Sequence, residues 1–359
     1  MKTNLLGIDI GGTKCAVIYG IDTDGSLEIA DKVRFETTKV DETLARILTE
    51  VKAMAARHGL NAGNTKAIGI SCGGPLDSKT GVVQSPPNLP GWDNIPIVKL
   101  VEEATGIRAA LQNDANACAL AEWKYGAGRG TRNMVFLTFG TGMGAGLVLD
   151  GKLYAGTNDN GGEVGHIRLS DFGPVGYGKA GSFEGFASGG GIAQLAQSAV
   201  KEQLMMGRKV AWCPDGDLAG ITAKTVAEAA AAGDPLAVGV YKTSAEYLGR
   251  ALSVLIDILN PEVIAIGSIF VRAEALIRPF MQAVIDREAL PAAAAVCQVK
   301  PAELGEQIGD FASLSIAASC HRPSATAIYC VRRMSAEEAP TRMVGRPAGT
   351  TNAFWDSLQ

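Results

Sequence analysis

The stretch LQNDANACALAEWKYG, Leu111 to Gly126, opens with a short apolar run, turns at Asn113 and Asp114, and continues as an alanine-rich helix. A carboxylate set where a strand hands over to a helix is placed to accept a proton from a bound alcohol. Asp and Asn are also favoured helix N-caps, because their side chains satisfy free backbone N–H groups. Within this window capping is the commoner explanation, so the choice depends on what the rest of the chain brings to it.

Leu5 to Ile10 is an apolar strand broken by Gly7 and Asp9; the turn Gly11-Gly12-Thr13-Lys14 sends the chain back along Cys15 to Tyr19. Adjacent glycines allow a backbone whose N–H groups converge, a nest for phosphate oxygens. Thr13 can add a hydroxyl and Lys14 a cation, and Asp9 could hold a metal ion through water. A glycine-turned hairpin accounts for the turn alone, but leaves unexplained a carboxylate in a buried strand, which is costly without a partner. The pattern returns at Met134 to Phe139, which lead into GTGMGAG and then LVLDGKLYAG, a strand, a D-G turn and a short strand. Gly140, Gly142 and Ala145 fit the G-x-G-x-x-G/A spacing, but that fingerprint needs a helix next, and a strand follows. Two strand–turn–strand units, at Leu5–Tyr19 and Met134–Leu149, suggest a duplicated architecture with two phosphate-facing turns meeting across a cleft. There is no G-x-x-x-x-G-K-[ST], so neither turn is a Walker A loop.

Gly69-Ile70-Ser71-Cys72-Gly73 matches the G-x-S-x-G nucleophile elbow, which demands a helix directly after the serine. Gly73, Gly74, Pro75 and DSKTG follow instead, and a serine hydrolase is rejected. SPPNLPGWDNIP is a proline-rich loop of the kind that borders a cleft or forms a surface Ω-loop. Helical periodicity spans Asp41–His58, Ile192–Leu204, Ile221–Gly233, Leu236–Leu259 and Ala273–Ala289. Val263–Ile266 is a buried strand followed by Gly267-Ser268, and Pro301 to Ser319 is a turn leading into a last helix. From 320 to 359 no period is sustained, as expected of a poorly ordered appended tail.

Bulk properties exclude several classes. At 359 residues, two lobes are the natural expectation. The 44 glycines are about 12% of the chain, above the usual level of roughly 7%, which fits an α/β protein with many tight turns. A net charge of −4 supplies no overall attraction to nucleic acid. No run approaches the ~20 apolar residues of a membrane span, and MKTNLLGIDIGG is not a signal peptide; a cytoplasmic protein is expected. Seven scattered cysteines contain no C-x-x-C pair and read as small, mostly buried thiols in a reducing compartment.

These segments together resemble the ROK family of sugar kinases and related repressors, within the actin-like ATPase superfamily. The resemblance spans about Leu5 to Ser319. LLGIDIGGTK is similar to the family's first phosphate motif and FGTGMGAG to its second. NDANACALAE resembles the catalytic-base segment, GEVGH the sugar motif, and NPEVIAIGS the adenosine-side strand and turn. The family implies a two-lobed actin-like ATPase (ribonuclease H-like) α/β fold with a central cleft. The small lobe would be residues 1–118, completed by a helix at 301–319, and the large lobe 119–300. Asp114 would be the general base. Gly74, Asn113, Glu163, His166 and Glu184 would hold the sugar. Gly11, Gly12, Thr13 and Lys14 would meet the ATP phosphates from one side, and Thr141, Gly142 and Gly144 from the other, with Gly267 beside the adenosine and Asp9 helping to place Mg²⁺. A homodimer is also implied.

The chain departs from the family at one loop. Most members carry C-x-C-G-x-x-G-C-x-E, whose cysteines join the GH histidine on a structural zinc that orients it from behind. Here Val175, Tyr177 and Ser182 stand at the cysteine positions, and of the histidine, the cysteines and the glutamate only His166 and Glu184 survive. One histidine cannot build a tetrahedral site, so no structural zinc is expected. Apolar packing by Val175, Tyr177 and Phe183 is expected to fix the loop instead. The resulting expectation is an ATP-dependent hexokinase acting on glucose, with N-acetylglucosamine, N-acetylmannosamine, fructose or allose as alternative acceptors. A repressor would carry a helix-turn-helix before the first phosphate motif, where only four residues precede Leu5. A silent sugar-binding protein would not need Asp114 and both glycine turns.

Overall fold

The computed structural model describes residues 2–320; the expected tail, beyond Cys320, lies outside the described residues. β1 (Lys2–Ile10), β2 (Lys14–Thr23) and β3 (Ser26–Glu36) form an antiparallel meander. α1 (Val40–Arg57) buries Ile47, Val51 and Met54 at helical spacing. β4 (Thr65–Cys72) then pairs in parallel with β1. The small hairpin of β5 (Leu76–Asp77) and β6 (Val82–Val83), followed by α2 (Ile97–Thr105), leads to β7 (Ala109–Asn113), parallel to β4. The sheet order is β3-β2-β1-β4-β7, and α3 (Asp114–Tyr125) leaves directly from the edge strand β7.

β8 (Met134–Leu137), β9 (Ala145–Leu149) and β10 (Lys152–Tyr154) start a second antiparallel meander. An excursion carries the short hairpin β11 (Val175–Gly176) and β12 (Lys179–Ala180). Four helices follow, α4 (Phe183–Phe186), α5 (Gly189–Met205), α6 (Ala223–Ala231) and α7 (Pro235–Leu259). β13 (Val263–Ile266) pairs in parallel with β8. α8 (Ile269–Glu288) and α9 (Pro291–Ala294) lead to β14 (Gln298–Pro301), parallel to β13, and α10 (Ile308–Ser319) ends the described chain. This sheet runs β10-β9-β8-β13-β14. Order and strand directions match those of the first sheet, so the duplication suggested by the two glycine turns holds at the level of topology.

Glycines let helices lie directly on these sheets. A Cβ on Gly7 or Gly69 would fall on Ser313 of α10. The first glycine of the rejected G-x-S-x-G match is therefore a helix-packing position. In the second sheet a Cβ on Gly146 of β9 would stand 2.5 Å from the Ala115 carbonyl oxygen of α3. The far end of α3 is tied down by Glu122, which is fully buried. Its carboxylate accepts N–H bonds from Ala127 (2.8 Å), Glu303 (3.1 Å) and Leu304 (2.9 Å), linking α3 to the segment that enters α10. An amide at this position offers one acceptor oxygen in place of two. Glu122→Gln should therefore cost about 3 kcal/mol, read from the urea midpoint at unchanged slope.

Several elements were not anticipated, among them β3, α2, β14 and the short hairpins β5–β6 and β11–β12. β3 carries an alternating signal, Leu27, Ile29, Val33 and Phe35 against charged neighbours, that period-2 counting would have found. α2 follows directly on a proline-rich loop and spans only nine residues. α8 begins four residues before the expected start, at Ile269, with a non-helical break at Ala273.

Candidate active site

β7 passes straight into α3, and the cap is Asn113: its Oδ1 accepts the Ala115 N–H at 2.9 Å. Asp114 is therefore the first helical residue. Its Oδ1 shares the same N–H at 2.8 Å, which leaves Oδ2 without a part in the cap. Asp114 keeps contact with solvent, yet the protein packed around its carboxyl desolvates it and raises it above the usual range. The capping and the chemical readings of NDAN thus fall on adjacent residues.

Asp9 and Ser71 face each other across the β1–β4 pair. The Ser71 hydroxyl hydrogen-bonds to the Asp9 carboxyl, which burial and the neighbouring charges of Asp310 and Asp114 push up to about 7, against the lowering effect of Lys32. Lys32 itself is ion-paired with Asp310. The half-buried carboxylate of this strand thus has partners, and the serine of the false elbow is one of them.

Gly74, Asn113, Glu163, His166 and Glu184, the five residues expected to hold a sugar, line one cavity of about 570 Å³. They come from the β4–β5 connection, the end of β7, the short helical turn Val164–His166, and α4. Glu184 also reaches into the second glycine turn, accepting the Met143 N–H at 3.0 Å; a Cβ on Gly142 would stand 2.8 Å from the same carboxylate. That turn closes on itself through Thr138 N–H to Gly144 O (2.9 Å) and Gly144 N–H to Thr138 Oγ1 (2.9 Å). Thr141 is exposed at its tip. A second cavity of about 380 Å³ lies on the other side, lined by Thr138, Gly140, Gly267, Ser268, Arg272 and Glu306 among others. One turn therefore borders both cavities, through Met143 on the first and Thr138 and Gly140 on the second.

Neither cavity wall includes Asp9, Gly11, Gly12, Thr13, Lys14 or Asp114. In the first turn the Gly11 N–H is donated to Lys14 O at 3.0 Å, and the glycines do not adopt positive φ. Glycine is required at position 12 for a steric reason, because a Cβ there would stand 2.6 Å from the Asn88 carbonyl oxygen. The proline-rich loop therefore packs on the first turn through Asn88, and its Pro87 lines the first cavity.

The loop at the replaced cysteines corrects one expectation. Phe183 is fully buried, but Val175 is 47% and Tyr177 76% exposed, so apolar packing does not hold the hairpin. Hydrogen bonds do. The Gln194 amide takes the Val175 N–H and donates to the Val175 carbonyl, each at 2.9 Å. Lys179 Nζ donates to the His166 carbonyl at 2.6 Å, and Arg168 donates to the Ala180 carbonyl at 2.8 Å. Ser182 caps α4 through the Gly185 N–H. Among the described residues, no group of three His, Cys, Asp or Glu side chains is arranged to hold a metal ion.

Sequence reasoning missed Gln84, Asn158, Asp159, Asn160 and Tyr177 in the first cavity and Arg272 and Glu306 in the second. Asp159 accepts both the N–H and the hydroxyl of Ser78, at 2.8 and 2.7 Å. The polar run T-N-D-N-G-G, Thr157 to Gly162, was the available signal. No helix among the described residues is long and apolar enough to cross a membrane.

The model of the ROK family matches residues 5–318. Over 311 residues the chain is 36% identical to a glucokinase of Halalkalibacterium halodurans, covering 85% of this chain and 92% of that protein. The crystal structure of a ROK family glucokinase from Streptomyces griseus, in complex with glucose and AMPPNP, matches with a TM-score of 0.67 at 28% identity, over 88% of this chain and 100% of that one. A ROK family transcriptional regulator, a homologue of the Escherichia coli MLC protein, matches with a TM-score of 0.74 at 26% identity, over 88% of this chain and 77% of the regulator. With two topologically equivalent sheets and a family match across almost all of the described residues, this chain belongs to the ROK family.

Proposed function

We propose that the chain is an ATP-dependent hexose kinase whose acceptor is glucose, phosphorylated at the 6-hydroxyl. The observation that carries this reading is the shared turn: Thr138–Gly144 borders both a polar cavity lined by Glu163, His166 and Glu184 and a second cavity reaching Gly267 and Arg272. A sugar in the first and a nucleoside in the second would bring the transferred phosphate to the turn between them.

Asp114 takes the proton of the sugar hydroxyl as that oxygen attacks the γ-phosphorus, and ADP leaves with the electrons of the broken P–O bond. Asn113, Glu163, His166 and Glu184 fix the other hydroxyls, which supplies alignment, the main requirement of this reaction. Gly11 to Lys14 face the phosphates from one side and Thr141, Gly142 and Gly144 from the other. Mg²⁺ bound with ATP would neutralise phosphate charge. Asp9, a hard oxygen donor crowded by Asp310 and Asp114, fits such an ion held through water, since Mg²⁺ keeps several waters and needs few carboxylates. We assign residues 1–118 with 301–319 to a small lobe and 119–300 to a large one, closing on the sugar to exclude water. The family resemblance supports a cytoplasmic homodimer.

A coupled assay of ADP release across glucose, N-acetylglucosamine, N-acetylmannosamine, fructose and allose tests the reading. The highest kcat/KM should fall on glucose. ADP release independent of any hexose would sink it, and hexose binding without turnover would leave a sugar-responsive binding protein.

A further inference from the structure

Among the described residues, eight non-glycine positions have positive φ. Five are Asp or Asn and two are Ser, short polar residues suited to that backbone. The eighth is Tyr177, at φ 43°. The β11–β12 register, Gly176 opposite Lys179, leaves Tyr177-Gly178 as a two-residue turn, and Gly178 follows at φ 77°. Positive φ at both central positions is the turn that favours Asn-Gly. An aromatic residue is ill suited to the first of them. Core packing does not explain it either, because the side chain is 76% exposed. What the ring does meet is the sugar cavity: Tyr177 lines it and packs edge-to-face on His166, with centroids 5.3 Å apart and planes at 83°.

We propose that Tyr177 is a specificity-determining residue of the hexose cavity, its ring forming an aromatic wall that holds His166 in place and packs against the C–H face of the bound sugar. This rests on the hexose-kinase reading of the same site. Strained backbone is retained where the surrounding structure fixes it, commonly at ligand sites. A tyrosine ring also presents a large amphipathic face at little cost in side-chain entropy. The position is one of the three where the family's zinc cysteines would stand, so in this chain a ring contact to the histidine occupies the place of a metal ligand.

Tyr177→Asn separates the two roles, because asparagine suits the turn better and removes the ring. The variant should melt no lower than the native protein, and its KM for glucose should rise about tenfold, as expected for loss of an aromatic contact. KM for ATP should stay within about twofold. Tyr177→Phe keeps the ring and should retain the native KM for glucose. Glucose affinity of the same proteins, measured by calorimetry, reads the wall without turnover. An unchanged glucose affinity in Tyr177→Asn, or an equal loss in Tyr177→Phe, overturns the proposal. So does a rise in both KM values with a lowered melting temperature, which marks a merely structural role. A native protein that binds glucose but turns nothing over would sink the kinase reading and leave the wall to be judged by calorimetry alone.

Discussion

Asp114→Asn should lower kcat by about 10²–10⁴, the usual contribution of a positioned general base. The fold should survive, because Asn113 Oδ1 accepts the same Ala115 N–H that Asp114 Oδ1 shares, and the amide of the variant keeps an acceptor oxygen. Desolvation raises the Asp114 carboxyl, so its ionised form is held at some expense in stability. The amide variant should therefore unfold at an equal or higher urea concentration near neutral pH. KM for glucose should change little, since Glu163, His166 and Glu184 remain. Steady-state kinetics paired with a urea titration check both halves. A parallel loss of stability and activity would mean that Asp114 is a structural residue.

The second large effect concerns Asp9. Its carboxyl, pushed up to about 7 in the folded protein from an ordinary 3.8, holds a proton that the unfolded chain releases. The folded state thus binds more protons between about pH 4 and pH 7, and stability falls as pH rises through that window. Asp9→Asn removes this penalty. In metal-free protein the variant should match the native chain at pH 4 and exceed it by on the order of 2–4 kcal/mol at pH 8. Its turnover with MgATP should drop sharply in spite of the added stability. Chemical denaturation at both pH values, with EDTA present, gives the first result. Equal stability gains at pH 4 and pH 8 would show that burial of the charge is not the cause.

The parts of the site legible in the sequence were those with local chemistry. Asn113-Asp114, the two glycine turns and the GEVGH segment each announce a strand end or tight turn, and the structure brings Asn113, Glu163, His166 and Glu184 to one cavity. The duplicated sheet was legible for the same reason, since hairpins are local. The reasons for some residues were not legible, because they are tertiary. Gly12 is fixed by Asn88, Gly69 by Ser313, and Ser71 by Asp9, each partner distant in sequence. The hold on the cysteine-free hairpin escaped for a similar reason. Apolar letters at Val175 and Tyr177 suggested burial, whereas a two-residue turn carries Tyr177 outward and Gln194, from α5, supplies the anchor. Asp159 and Asn160 went unnoticed because a polar loop carries no period to mark it.

The central claim, that this site moves a phosphoryl group from ATP to a hexose alcohol, is tested most directly by phosphorus NMR of native protein with MgATP and glucose. A phosphate monoester coupled to the C6 protons of glucose should appear in step with ADP. Inorganic phosphate with no sugar ester, or ATP left unconsumed, would contradict it.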